Sequence, residues 1–164
     1  MKRITAYTGL FLLLFSVAGV AAENPLVGTW KLKSFVTIST SGEKSSPFGE
    51  HPSGYLSYSP DGRMYAIGTA DVRITPHDVV ATDDERAKLH KTMFAYAGTY
   101  SVLADRVIHH VDISWNQAWN GTDQVRFYKL DGNTLTITSA RAKSPLDGKE
   151  GRNVLVWEKV EGRR

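Results

Sequence analysis

Apolar and polar residues alternate with a period of two through most of this chain, and turn residues interrupt the alternation at short intervals. Trp30, Leu32, Val36 and Ile38 share one face of the first segment, with Ser34 as its only polar member. Lys31, Lys33 and Thr37 share the other, where Phe35 is the exception. That pattern predicts a half-buried strand over 30–38, with Phe35 pointing out. Segments 54–59 and 63–69 read as a hairpin around Pro60-Asp61-Gly62, with Leu56, Tyr58, Met64 and Ala66 inside. Further strands are predicted at 99–103, 107–114, 122–130, 134–138 and 153–159, with Ala104-Asp105 and Asp131-Gly132-Asn133 at turns. The Ser-, Gly- and Pro-rich stretch 39–53, carrying Phe48, Glu50 and His51, reads as a mobile flap.

One interval breaks the period. Thr82-Asp83-Asp84-Glu85 is a capping box, and its acidic residues suit the positive end of a helix dipole. Leu89, Met93 and Tyr96 form a stripe at helical spacing, and Gly98 stops it. The spacing predicts a helix over 83–96 that packs on the sheet as a lid. The whole is an all-β chain of about eight antiparallel strands with one inserted helix. Successive hairpins favour a closed barrel over a two-sheet sandwich. Gly28-Thr29-Trp30 suits its entrance: the glycine admits a close backbone approach, and the indole plugs one end.

The first residues stand apart from this pattern. Met1-Lys2-Arg3 precedes an apolar run from Ile4 to Val20, and Ala21-Ala22 offers a cleavage site. Residues 1–22 read as a secretory signal peptide, leaving a domain over 23–164 that is exported, periplasmic or secreted. The chain has no cysteine, so the core must hold the domain without disulfides. The formal charge is +3, and two of the cations lie in the leader. No basic run interleaved with aromatics appears, so nucleic acid is not an expected partner, nor is a membrane once the leader is removed. Gly-x-Ser-x-Gly, Gly-x-x-x-x-Gly-Lys and Gly-x-Gly-x-x-Gly are all missing, so no nucleotide or other cofactor is implied.

The chemistry concentrates on two strands. Val107, His109, Val111 and Ile113 share one face of 107–114, and His110 and Asp112 lie on the other. Adjacent histidines on opposite faces do not share a metal, so none is expected. His109 among valines needs a polar partner. Thr122, Gln124, Arg126, Tyr128 and Leu130 share one face of the next strand, and Asp123, Val125, Phe127 and Lys129 share the other. Periodicity does not choose between these faces. If the first set points inward, His109, Gln124, Arg126 and Tyr128 form a polar cluster in an apolar cavity, the composition of a ligand site. Arg126 would then bind an acidic or carbonyl group, or stack on Trp30. Trp30, Tyr58, Met64, Tyr100 and Tyr128 would supply walls or floor. Trp115 and Trp119, in the connection between the two strands, would rim a mouth or plug the core.

Several segments in order carry a family likeness: Leu26-Val27-Gly28-Thr29-Trp30, Pro47-Phe48-Gly49-Glu50, the run 54–62, Tyr96-Ala97-Gly98-Thr99-Tyr100, His109-His110-Val111-Asp112, the run 119–126 and Val156-Trp157-Glu158. Through them the chain resembles the lipocalin-like domain family, which implies a calycin-type β-barrel and says more about fold than function. The resemblance implies that Thr122, Gln124 and Arg126 face inward. It departs from true lipocalins in its mid-chain helix and in lacking Thr-Asp-Tyr. The expected function is binding of a small, mainly hydrophobic molecule with one polar group. Two alternatives stand beside it. One is an isomerase, cyclase or lyase in which His109 shuttles a proton and Arg126 stabilises negative charge. The other is a filled barrel acting through its surface, favoured by a cavity well below roughly 300 Å3.

Overall fold

The computed structural model describes residues 24–145 and 147–162. The expected leader over 1–22 lies outside the described residues. The strands are β1 (Gly28–Ser39), β2 (Lys44–Ser45), β3 (Ser53–Tyr58), β4 (Arg63–Thr69), β5 (Met93–Val102), β6 (Arg106–Ser114), β7 (Asp123–Asp131), β8 (Thr134–Ser139), β9 (Ala142–Lys143) and β10 (Glu150–Lys159). One helix, α1 (Asp83–Lys91), interrupts them. Each long strand pairs antiparallel with its neighbour, and β1 pairs with β10 from Trp30↔Lys159 to Ser39↔Gly151. That last pairing closes an eight-stranded barrel, with the two-residue strands β2 and β9 as short flaps on β1 and β10. Closure removes the sheet edges that an open sandwich would leave exposed.

The core is the inward row of each strand. Trp30, Leu32, Leu56, Tyr58, Met64, Ala66, Val107, Leu135, Ile137 and Trp157 are all buried. Trp30 is fully covered, its indole N–H donates to the Leu26 carbonyl (2.9 Å), and the Lys159 ammonium lies 5.1 Å from its ring centre. The expected stacking of Arg126 on Trp30 is therefore not made.

Two bulges alter the faces that alternation alone predicts. On β1 the register shifts between Leu32 and Ser34, so one extra residue enters the strand. The parity inverts there. Phe35 turns inward and is buried, while Val36 does not reach the core. On β6, Ala97 of β5 faces Ile113 and Gly98 faces Val111, which leaves Asp112 as the extra residue. Ile113, expected inside, is consequently turned out and exposed.

The helix forms where its capping box stands. The Thr82 hydroxyl accepts from the Glu85 amide, and Glu85 accepts in return from the Thr82 amide (2.8 Å). It ends at Lys91, not at residue 96, and Thr92 closes its last turn. Met93–Val102 is strand because both its edges are paired, with β4 on one side and β6 on the other. A ladder on two sides outweighs the weak local preference for helix. The predicted apolar stripe is thereby divided, and α1 has no buried residue. It is not a lid seated on the core.

The 39–53 segment also differs from expectation. Phe48 is buried and packs against Phe35 and Phe94, with ring centres 4.6 and 5.7 Å away. The Asp71 carboxylate accepts from the amides of Glu50 and His51, and the Asp71 amide donates to the Phe48 carbonyl. Three hydrogen bonds and an aromatic plug pin this loop, where the sequence suggested a flap.

Candidate functional site

An inner hollow lies between the barrel walls and the β6–β7 connection. Its sides are mostly apolar: Phe35, Leu56, Phe94, Ile137, Leu155 and Trp157 from the strands, Trp115 and Trp119 from the connection. Tyr96, His109 and Arg126 supply polar groups on one wall. The hollow has a volume of about 70 Å3. One water needs about 10–15 Å3 by that measure, so the space holds several waters, or roughly one small ring. A second hollow of about 300 Å3 adjoins it and is lined by Gln124, Lys143 and Lys149, among others. Trp119, Arg126, Ser139, Pro145 and Asn153 line both, so these residues form the neck between them.

The polar wall is built by register. His109 pairs with Tyr100 on β5 and with Gln124 on β7, and Val107 pairs with Arg126. Inward residues of three neighbouring strands thus meet. His109 is only 1 % exposed. Its Nε2 lies 2.8 Å from the Tyr58 hydroxyl and its Nδ1 lies 3.0 Å from the Tyr96 hydroxyl. Neither ring nitrogen is free for a ligand. Burial holds the imidazole well below its usual titration range, and the positive charge of Arg126 acts in the same direction. It is neutral at pH 7. Burial likewise raises the Tyr58 and Tyr96 hydroxyls, with Arg126 opposing the rise at both.

Arg126 is 9 % exposed. Its guanidinium donates to the Val125 carbonyl (3.0 Å) and to Gln124 Oε1 (3.3 Å), and lies 5.6 Å from the Trp119 ring centre. Gln124 is held in turn by donating from Nε2 to the Thr122 hydroxyl (2.9 Å). Among the described residues no carboxylate reaches Arg126 within salt-bridge distance. A buried charge with neutral partners only is costly, and an anionic or strongly accepting group nearby relieves the cost. Phe127 is exposed, in keeping with the inward choice for Gln124, Arg126 and Tyr128. His110 stays on the outer side, where its Nδ1 meets the Asp123 carboxylate at 2.6 Å.

The structure gathers some of the predicted residues at the hollow and leaves others away from it. His109 and Arg126 line the inner hollow, Gln124 lines the outer one, and Tyr58 stands behind His109. Trp30 and Met64 are in the core away from the lining. Tyr100 donates to the Ser59 carbonyl (2.9 Å) and accepts from Asn24 (3.0 Å), and the Tyr128 hydroxyl donates to the Leu103 carbonyl (3.4 Å). Tyr96 is the residue that sequence reading missed. Assigning it to the helix hid a period-two signal: Phe94, Tyr96, Gly98 and Tyr100 alternate along β5. Phe35 and Trp157 were missed as lining residues for the same kind of reason, the bulge in one case and an unassigned face in the other.

The sequence model of the lipocalin-like domain matches residues 27–160, nearly the whole described barrel. This chain belongs to the lipocalin-like domain family. The closed eight-stranded antiparallel wall is the fold that membership implies. The lipocalin-like chain is also similar to the 4'-hydroxy-3'-methoxypropiophenone carrier protein ppsC of Aspergillus oryzae. The two are 31 % identical over 87 residues, which span 48 % of this chain and 78 % of that relative. A lipocalin-like barrel with a likeness to a carrier protein suggests small-molecule binding.

Proposed function

We propose that this protein is an exported carrier of a small, mainly apolar ring compound bearing one hydrogen-bond-accepting group. Arg126 carries the reading: a guanidinium buried without a carboxylate, at the neck of an aromatic-lined hollow. The accepting group sits against the guanidinium and the ring fills the inner hollow. Anything longer extends through the neck into the outer hollow. The inner hollow by itself is small enough to favour a filled barrel; the outer hollow and the unpaired charge are what favour a container. Burial of the ligand's apolar surface supplies most of the affinity, at about 25 cal/mol per Å2 before the costs of association. The likeness to a protein named as carrier of an aryl ketone supports the same ligand class.

The test is a calorimetric titration of the mature protein with 4'-hydroxy-3'-methoxypropiophenone. Wild type binds, and Arg126→Met binds about tenfold or more weakly, the worth of one charge-assisted hydrogen bond. No heat of binding at millimolar ligand sinks this ligand class. Loss of the folded barrel in Arg126→Met assigns the guanidinium to the structure instead.

A further inference from the structure

Three hydroxyl and imidazole groups in the hollow wall form a chain whose proton direction is fixed by counting donors. Tyr58 is fully buried, and among the described residues its hydroxyl has one partner, His109 Nε2. His109 Nδ1 has one partner, the Tyr96 hydroxyl. A neutral imidazole donates from one nitrogen and accepts at the other. The imidazole is neutral because it is buried beside a guanidinium. Two arrangements remain.

In the first, Nε2 carries the hydrogen and donates to Tyr58. The Tyr58 hydroxyl hydrogen then has no acceptor in a dry position, and the full desolvation of a donor is unrelieved. In the second, Tyr58 donates to Nε2, and Nδ1–H donates to the Tyr96 oxygen. Every buried hydrogen on the Tyr58 side is then used. The second arrangement moves the unpaired hydrogen from Tyr58, which is dry, to Tyr96, which lines the hollow where a water or a ligand accepts it, and is favoured by roughly tenfold or more on that ground. It has a consequence at the cavity. The Tyr96 oxygen accepts from His109, and the positive charge of Arg126 acts on the same hydroxyl. Its own hydrogen has no protein acceptor among the described residues, and Tyr96 lines the hollow.

We infer that Tyr58 and His109 lock Tyr96 as a hydrogen-bond donor to the cavity, so that the site selects a carbonyl or phenolate oxygen and rejects an isosteric group without an acceptor. This rests on the container reading and adds the residue that reads the ligand's polar end. Tyr96 makes the contact, and Tyr58 and His109 are positioning residues behind it.

Two measurements test it on the mature protein. The first needs no ligand: nitrogen-15 NMR of histidine-labelled protein at pH 7. The expected result is a protonated-type Nδ1 and a lone-pair-type Nε2 for His109, assigned by its loss in His109→Gln. The second compares acetophenone with α-methylstyrene, which has nearly the same shape and a methylene in place of the accepting oxygen, by equilibrium dialysis. Wild type prefers the ketone, and Tyr96→Phe lowers the ketone-to-hydrocarbon ratio by about tenfold. A protonated Nε2 overturns the inference even where both probes bind. A ketone preference unchanged in Tyr96→Phe overturns it as well. An Nδ1–H signal with no binding of either probe overturns the container reading and, with it, the role of Tyr96 as ligand donor, while leaving the proton chain intact. If Tyr96→Phe does not fold, the wild-type tautomer still decides the proton direction.

Discussion

Gly98→Ala is expected to lower the barrel's stability by at least about 3 kcal/mol, visible as a fall of roughly 10 °C in thermal midpoint. A methyl group there would overlap the carbonyl oxygen of His110 and lie 2.9 Å from the amide nitrogen of Asp112. Both are backbone atoms of the adjacent strand, so no rotamer change relieves the contact. The position is also where β6 carries its extra residue. Tyr96 and His109, whose hydroxyl and Nδ1 meet at 3.0 Å, stand on these two strands on either side of that close approach. Stability and the polar chain should therefore fail together: a refolded Gly98→Ala should also lose the Nδ1–H signature of His109. A midpoint within about 2 °C of wild type would show that the strands do not approach as closely as described.

Acid is expected to destabilise the protein well above the carboxylate range, and His109 is the cause. The folded imidazole titrates far below the ordinary value, whereas the unfolded one titrates near 6.5. Above about pH 6.5 both states are neutral and the stability is fully present. As pH falls below that, the unfolded state binds a proton that the folded state refuses, and stability is lost until the folded imidazole itself titrates. The limiting slope is about 1.4 kcal/mol per pH unit. The carboxyls of Asp61, Asp71, Glu85 and Asp105 are all held below their ordinary values by hydrogen bonds, so their contributions fade only at lower pH, around 4 and beneath. The window from about pH 6.5 to 4.5 is therefore that of His109. Urea unfolding across it should show a falling midpoint in wild type and a much flatter one in His109→Gln, which starts from a lower stability at pH 7. Equal slopes in the two proteins would remove His109 as the buried neutral group.

The two predictions share one source, the juxtaposition of β5 and β6, and only half of it was readable in advance. His109 was legible because it stands in a period-two row of valines, and a histidine inside a wall needs partners whatever the tertiary detail. Arg126 and Gln124 were legible as a pair sharing one face, two residues apart. Tyr96 was not, because a strong capping box at Thr82 made the following residues read as helix to their next glycine. Local signals mark where a helix starts better than where it yields to a strand, since the strand's stabilisation comes from neighbours distant in sequence.

What the amino-acid order determined by itself was the period and its interruptions: the strand count, the hairpin at Pro60-Asp61-Gly62, the start of α1 and the division of β7 into two faces, but not which of those faces points inward. These depend on interactions a few residues long, or on the two-residue repeat of a pleated chain. Tertiary structure alone decided the two bulges, which turned Phe35 in and Ile113 out, the pinning of 39–53 by Phe48 and Asp71, and the lodging of Arg126 on Trp119 with Lys159 on Trp30. The bulges follow from closing the sheet, where one strand must gain a residue for both neighbours to pair, and the other contacts join residues far apart in sequence, so no short-range pattern records either.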